Sequence, residues 1–490
     1  MKDDLPYDLW EPVIGLEIHV QLNTKSKIFS SAPNHFGDEP NTNISVVCTG
    51  QPGALPVLNK EAVKKGIQLG LALGSDITRI SNFDRKSYFY PDSPRGFQIT
   101  QFEHPLLRGG QVTADVDGAT KTFKINRAHL EDDAGMLKHF TTFAGVDYNR
   151  AGAPLIEIVS EPCLHSAREA AAYAMAIRAI VLYLDISDGN MEEGSLRFDA
   201  NISVRPFGEK GLRPRIEIKN MNSFTFMEMA IQSEISRQIA LYLKNPDTPH
   251  LELIPPGTYR WDPDSKQTIL MRRKESADDY RYFPEPDLVP IVLSETLIDE
   301  LRATLPELPH DRYRRYISDL NLTSYAASTL INEKALSDYF EEALKICKSP
   351  RLLCNWITVE FAGRLKESGK TLLDLGIPPR HVAKLVQMIE SNQITGRIAK
   401  AVADEMIAEP GADPEVIVRQ NPDYQPVGDV AAIEPLVDQV LAANPQSVAD
   451  FKAGRDKAFA FLVGSVMKLS RGKASPQVVN DLLRKKIAEQ

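Results

Sequence analysis

Five polar stretches in the first 293 residues hold side chains that could do chemistry. Glu17 and His19 sit two apart in Val-Ile-Gly-Leu-Glu-Ile-His-Val-Gln-Leu, residues 13–22. On a strand this puts both on one face, with Cβ atoms about 6.6–6.8 Å apart. Both could reach one cation or one phosphate oxygen; a solvated strand face is the plain alternative. His129, Glu131, Asp132 and Asp133 follow the basic run Lys124-Ile-Asn-Arg127. Clustered acids repel unless a cation or an arginine neutralises them. Mg²⁺ takes oxygen ligands, usually one or two carboxylates with phosphates and water. An acidic surface turn before Ala134-Gly135 would look the same.

Glu157 lies between Ile156 and Ile158 in the stretch 147–162. An ionised acid in an apolar strand needs a cation, because burying it unpaired is costly. A plain ion pair with Arg150 would also serve. Residues 85–101 interleave Arg85, Lys86 and Arg95 with Tyr88, Phe89, Tyr90 and Phe97, a mixture suited to phosphates and stacked bases, or to ordinary loop packing. A second such stretch runs from Asp278 to Asp287. Glu192, Glu193, Arg197 and Asp199 surround a turn and a strand entry, and Arg215, Glu217, Lys219 and Asn220 continue the pattern. One mixed-charge face is commonplace. Five in one domain point to a polar cavity.

The elements that carry these groups are readable. Ile14, Leu16, Ile18, Val20 and Leu22 alternate with the polar residues of 13–22, and Leu196, Phe198, Ala200, Ile202 and Val204 do so against Arg197, Asp199, Asn201, Ser203 and Arg205. Ile216 and Ile218 repeat the device. This period of two predicts antiparallel strands with one face on a core and one face wet. Ser166 and Glu169 form a capping box ahead of a helix at 167–183, and a second helix is predicted at 224–244 after Asn222 or Ser223.

The character changes near residue 293, after which the period is helical: 294–304, 310–319, 323–330, 333–347, 350–368 and 379–391. Glu409-Pro-Gly-Ala-Asp-Pro414 reads as a hinge. A helical tail follows, with Phe451, Phe459, Phe461, Leu462 and Val466 as core candidates and a last helix opened by Ser475 and Pro476. Its end is basic, with Lys468, Arg471, Lys473, Arg484 and Lys485 prominent. The domains predicted are therefore 1–293, 294–408 and 409–490.

The chain has 490 residues, 43% of them hydrophobic and 25% charged, with a net charge of −9. That excludes disordered, collagenous and disulfide-stapled classes, and a uniformly basic nucleic-acid binder. No run is apolar for the roughly 18 residues of a membrane helix, and the N-terminus lacks a secretory h-region. Cys48, Cys163, Cys347 and Cys354 show no CxxC or zinc spacing, as expected of reduced thiols in a cytoplasmic protein. There is no P-loop, no GxGxxG after a strand, no HExxH, no GxSxG and no amidase-type Gly/Ser-rich run.

In order along the chain, Gly15-Leu-Glu-Ile-His-Val-Gln-Leu22, the 85–101 block, Leu130-Glu-Asp-Asp-Ala-Gly135, the 147–162 block, Met191-Glu-Glu-Gly-Ser-Leu-Arg197 and Arg281-Tyr-Phe-Pro-Glu-Pro-Asp287 closely resemble the B-subunit family of aspartyl/glutamyl-tRNA(Asn/Gln) amidotransferases. The resemblance runs from about residue 11 to the C-terminus. The tail, with Phe461-Leu-Val-Gly-Ser-Val-Met-Lys-Leu-Ser-Arg-Gly-Lys473, resembles that family's YqeY-like module.

The resemblance implies an α+β fold: a mostly antiparallel-sheet cradle, an all-α helical domain and a small helical tail. It implies a cytoplasmic ligase that uses ATP and Mg²⁺ to convert Glu-tRNA(Gln) to Gln-tRNA(Gln), or Asp-tRNA(Asn) to Asn-tRNA(Asn), or both. Ammonia would come from glutamine through a partner amidase, the A-subunit, and a small C-subunit would complete a heterotrimer. On this reading Glu17, His19, Glu131, Glu157 and, in reserve, Asp132 hold the cation. Glu157, Lys86 and Arg197 are the catalytic candidates. Arg85, Tyr88, Tyr90, Asp199 and Lys219 are the ATP and substrate contacts. Lys468, Arg471, Lys473, Arg484 and Lys485 would meet tRNA. Relatives often carry Glu where Gln21 stands, so a cation site using that position would be one charge weaker here. A non-catalytic tRNA scaffold is the competing reading, and its weakness is that carboxylates repel RNA unless they hold cations. A free-standing RNA-modifying enzyme would need its own nitrogen source or nucleophile, and the sequence offers neither.

Overall fold

The computed structural model describes residues 5–273, 280–424, 430–452, 454–470 and 474–489. Asp278, Asp279, Arg471 and Lys473 lie outside them. The chain forms two compact units, 1–311 and 312–490.

The first unit is built on a ten-stranded sheet. At its centre Trp10–Gln21 pairs on one side with Leu196–Pro206 and on the other with Pro154–Ser160, both antiparallel. Pro154–Ser160 pairs in turn with Ala119–Asp132, and Leu196–Pro206 with Ile216–Lys219. The pairing of Ile216–Lys219 with Gly257–Asp262 is parallel. Alternation puts Ile14, Leu16, Ile18 and Val20 in one core with Ile156, Ile158, Phe198, Ala200, Ile202, Ile216 and Ile218. The helices Ala167–Tyr183 and Phe224–Lys244 contribute Ala170, Ala174, Ile177, Ile231, Ile235 and Ile239 to the same core. The other face of the central strands is polar.

Both helices begin and end where the sequence placed them. The Ser166 hydroxyl accepts from the Glu169 N–H at 3.1 Å. Glu169 does not close the box on Ser166, however; its carboxylate takes the His165 N–H at 2.6 Å and Lys121 at 2.6 Å. Ser223 caps the second helix.

Two boundaries differ from the expectation. Helix Glu295–Ala303 buries Ile298 in the sheet core, with Leu301, Leu305 and Leu308 beside it, so the first unit runs on to 311 instead of stopping at 293. The supposed hinge at 409–414 is also folded. Asp413 caps helix Pro414–Gln420 and pairs with Lys384 at 2.7 Å, while Ile417 and Val418 join the core of the preceding helices. The tail core is separate and formed from 433–487, so it starts about 20 residues later than 409. In it Leu462 and Val466 are fully buried and Phe451 and Phe459 partly so, but Phe461 is 54% exposed. The helix expected over 350–368 holds a π-helical stretch at Trp356–Phe361. Helix Lys60–Leu73 was not foreseen.

Candidate functional site

The polar face of the central strands floors a cavity of about 440 Å³. Cross-strand register assembles it. His129, Glu157, His19 and Arg197 stand in one row across four neighbouring strands: His129 is opposite Glu157, Glu157 opposite His19, and His19 opposite Arg197. Glu17 and Asp199 form the next row. Residues far apart in the chain thus become neighbours through backbone pairing alone.

His19 Nε2 lies 3.6 Å from Glu157 Oε2 and 3.8 Å from Glu131 Oε1. His129 Nε2 lies 3.3 Å from Glu157 Oε2 and 3.7 Å from Glu131 Oε2. Burial would strip charge from all four groups, and their mutual contacts outweigh it. Burial lowers the pKa of His129, but the Glu157 charge and the hydrogen bonds that His129 donates to both glutamates lift it from 6.5 to about 9. Burial raises Glu157, yet His129 and His19 hold it well below the ordinary carboxylate range. His19, Glu131 and Glu157 offer ligand atoms all within 4.8 Å of one another.

Glu17 is not part of that group. It joins Asp199 and Glu217 in a second set of the same spread. Burial, then the charges of Glu157, Asp199 and Glu217, raise its pKa. Asn201 donates to it at 2.9 Å. Lys219 answers the second set, 2.5 Å from Asp199 and 3.4 Å from Glu217. The donor chemistry fits divalent ions: three carboxylates for a hard cation in one set, two carboxylates and an imidazole in the other. His129 Nδ1 is buried without a hydrogen-bond partner among the described residues.

The cationic candidates divide. Lys86 lines the cavity with its ammonium 4.9 Å from the Tyr280 ring centre. Burial works against its charge, and Tyr282, Glu131 and Glu157 more than offset that. Arg197 lines the cavity and donates to Asp133 at 2.8 Å. Arg85 does not join them. It makes a bidentate pair with the buried Glu285 at 2.7 and 2.8 Å and lines a separate, smaller hollow. Asp132 lines the cavity but stands outside both carboxylate sets, because it binds Arg95 and accepts from the Ile99 N–H at 2.8 Å. Burial pushes its pKa up to about 6 against the pull of Arg95. Arg150, the alternative partner for Glu157, pairs instead with Asp133 at 3.3 Å. Tyr88 lines the cavity, whereas Tyr90 is 49% exposed and outside its lining. Gln21 donates to Asn34 at 3.2 Å and takes no part in either carboxylate set.

Several contributors were not singled out from sequence. His129 and Glu217 were noticed in their stretches but given no role. Tyr280 and Tyr282 line the cavity opposite the acids, Tyr282 stacking on Phe102 at 4.1 Å. Arg127 also lines it, and its Nε is buried without a hydrogen-bond partner among the described residues. The alternation of His129 and Glu131 with Arg127 was the available signal. In the tail, Lys468, Arg484 and Lys485 are exposed, Arg484 lying 4.8 Å from the Phe459 ring centre. Among the described residues no helix is long and apolar enough to cross a membrane.

Comparison with known proteins agrees with this architecture. Residues 12–299 match the GatB/GatE catalytic domain, and residues 338–487 match the GatB domain that bears the YqeY name. The chain is 65% identical to the B-subunit of the aspartyl/glutamyl-tRNA(Asn/Gln) amidotransferase of Protochlamydia amoebophila, over 98% of this chain and 97% of that one. It is 58% identical to the protein of the same name from Chlamydia muridarum, over 97% of each. The identity to that of Chlamydia pneumoniae is 56% over 97% of this chain and 98% of the other. These matches, which together span most of the chain, make it a member of the GatB/GatE family.

Proposed function

We propose that this chain is the B-subunit of a tRNA-dependent amidotransferase, a ligase of protein biosynthesis. It activates the side-chain carboxylate of Glu-tRNA(Gln), Asp-tRNA(Asn) or both with ATP. It completes the amide with ammonia from the partner amidase, the A-subunit, in a heterotrimer that also holds the small C-subunit. The observation that carries this is the cavity itself: two carboxylate sets face Arg197, Lys219 and Lys86 across one floor.

The chemistry requires activation because oxide is too poor a leaving group for ammonia to displace. Transfer of the γ-phosphoryl of ATP to the carboxylate breaks the bond from the γ-phosphorus to the β–γ bridging oxygen, giving an acyl phosphate and ADP, and attack by ammonia at that carbonyl carbon expels inorganic phosphate. Phosphoryl transfer is mostly positioning and neutralisation of charge. His19, Glu131 and Glu157 would hold one Mg²⁺, and Glu17, Asp199 and Glu217 another. Such ions supply charge neutralisation on the phosphate oxygens. Arg197, kept in place by Asp133, is set to receive an anionic oxygen in a fork. Lys86 brings a second positive charge from the aromatic side, and Lys219 balances the carboxylates around Glu17. Tyr280, Tyr282 and Phe102 line that side, Tyr282 stacked on Phe102.

The test is to run the assembled complex with charged tRNA and ATP, replace the ammonia source by hydroxylamine, and look for the hydroxamate of the side-chain carboxyl. ATP-dependent hydroxamate is expected. Its absence, in a preparation that binds tRNA and ATP, would overturn the proposal.

A further inference from the structure

Lys27 and Cys48 form a buried pair that belongs to neither carboxylate set. Lys27 is fully buried, Cys48 is 4% exposed, and the Lys27 Nζ lies 3.6 Å from the Cys48 Sγ. An ammonium has three hydrogens to place. Here they meet the Ala151 carbonyl at 2.6 Å, the Tyr148 carbonyl at 3.3 Å and the sulfur. Among the described residues no carboxylate is in ion-pair contact with Lys27. A charge taken out of water needs a counter-charge, and the group touching this ammonium that can carry one is the thiol.

The surroundings of the sulfur favour its anion. Ser45 Oγ lies 3.2 Å from it and Ser30 Oγ 3.4 Å. Each hydroxyl accepts a backbone N–H, from Cys48 at 3.2 Å and from Ala32 at 3.3 Å, which leaves its own hydrogen free for the sulfur. Two hydroxyls and an ammonium thus converge on one atom. Burial raises the pKa of Cys48, but the hydrogen bonds from Ser30 and Ser45 and the Lys27 charge prevail and hold it below the ordinary thiol range. Burial pushes Cys163, Cys347 and Cys354 the other way. Cys48 also lines the main cavity. Gly152 beside it has no side chain to cover the sulfur; a Cβ there would stand 3.7 Å from Sγ. A small neutral oxidant therefore has a route to the thiolate.

We propose that Lys27 and Cys48 are a peroxide-responsive modification site that closes to a sulfenamide, a covalent bond from Nζ to Sγ in the wall of the cavity. The thiolate attacks one oxygen of hydrogen peroxide; the O–O bond breaks, hydroxide leaves, and the sulfur becomes a sulfenic acid. Oxidation removes the negative charge that Lys27 faced. The buried ammonium then gives up a proton, which neutralises the hydroxide. The free amine attacks the sulfur, the S–O bond breaks, and the departing hydroxyl takes a proton from the amine and leaves as water. The ion pair and one peroxide give one S–N bond and two waters, the sulfur losing the two electrons that the peroxide gains. The site stands whatever reaction the cavity performs.

The experiment treats the assembled enzyme with limiting hydrogen peroxide and maps its peptides by mass. Expected is a peptide joining residues 27 and 48 that has lost two hydrogen atoms and separates again in dithiothreitol. Cys48 should be consumed about tenfold faster than Cys163, the half-buried thiol of the same chain. In Lys27→Arg, which keeps the charge but has no attacking amine, Cys48 should stop at the sulfenic acid and be trapped by dimedone. If that variant does not fold, the wild-type map decides alone. Oxidation of Cys48 no faster than that of Cys163, or oxidised Cys48 with Lys27 left unlinked, would overturn the proposal.

Discussion

Arg197 is opposite His19 in the sheet register, yet its guanidinium is bound to Asp133, at 2.8 Å, and not to the nearby Glu157. Asp133 also takes Arg150, at 3.3 Å. The acid next to the cation set thus serves to hold arginine still, which leaves Glu131 and Glu157 without a guanidinium partner among the described residues.

Removing that anchor should cost both stability and rate. Asp133→Ala leaves two arginines without their carboxylate; with their partial exposure screening the loss, about 1–3 kcal/mol of stability is expected by urea denaturation. Amidation should fall with it. Arg197→Lys should keep the fold but lose activity, because an ammonium cannot reproduce the planar fork. A fully active Arg197→Lys enzyme would remove Arg197 from substrate contact.

Glu157→Gln should abolish ATP-dependent amidation while tRNA binding survives. Glu157 sits between two histidines, so the amide removes the charge both of them face. Chelation of divalent ions should silence the wild-type enzyme and added Mg²⁺ should restore it. Calorimetric titration with Mg²⁺ should show at least one site lost in the variant, and an intact isotherm would exclude Glu157 as a ligand.

In the helical core the Asp413 carboxyl feels burial, which raises its pKa, but hydrogen bonds from Lys384 and the Glu415 N–H prevail and hold it below its ordinary 3.8. A depressed folded-state pKa stabilises above the unfolded value and ceases to as pH falls through the folded one. Wild type should therefore be more stable than Asp413→Asn at pH 7. That advantage should begin to shrink below about pH 4 as the carboxylate takes up its proton. Denaturation midpoints across this window decide it; a gap independent of pH would show that the ion pair contributes nothing.

The basic end of the tail should bind RNA backbone. Lys468, Arg484 and Lys485 are exposed, so their triple replacement by glutamate should weaken tRNA binding and flatten its dependence on salt. Substitution is preferable to deletion from 409, which would strip Ile417 and Val418 from the helical core. An affinity and salt slope equal to wild type would assign the tail another task.

Much of this was legible because strands write their two faces alternately. The polarity of 13–22 and 196–205 foretold which residues share a wet face, and the capping residues foretold both long helices. What period alone does not contain is pairing register. It is register that seats His129 beside Glu157 and sends Glu17 to a different set from His19. Arg85 was misjudged for a related reason, since its partner Glu285 is 200 residues away. Helix Lys60–Leu73 was hidden by Gly66 and Gly70, which look like breakers. They are contact points: a Cβ would stand 2.6 Å from Leu106 Cδ2 at Gly66 and 2.3 Å from Leu107 Cδ2 at Gly70.

The row that runs from His129 to Arg197 has a bearing on how the protein reaches its working form. Shifting any one of the four strands by a single position would turn its acids or bases toward the oily layer and present isoleucines to water. Misaligned sheets are thereby penalised twice, by stranded charge on one side and wetted hydrocarbon on the other. A molecule able to do the chemistry is for that reason one whose strands have already found their correct alignment.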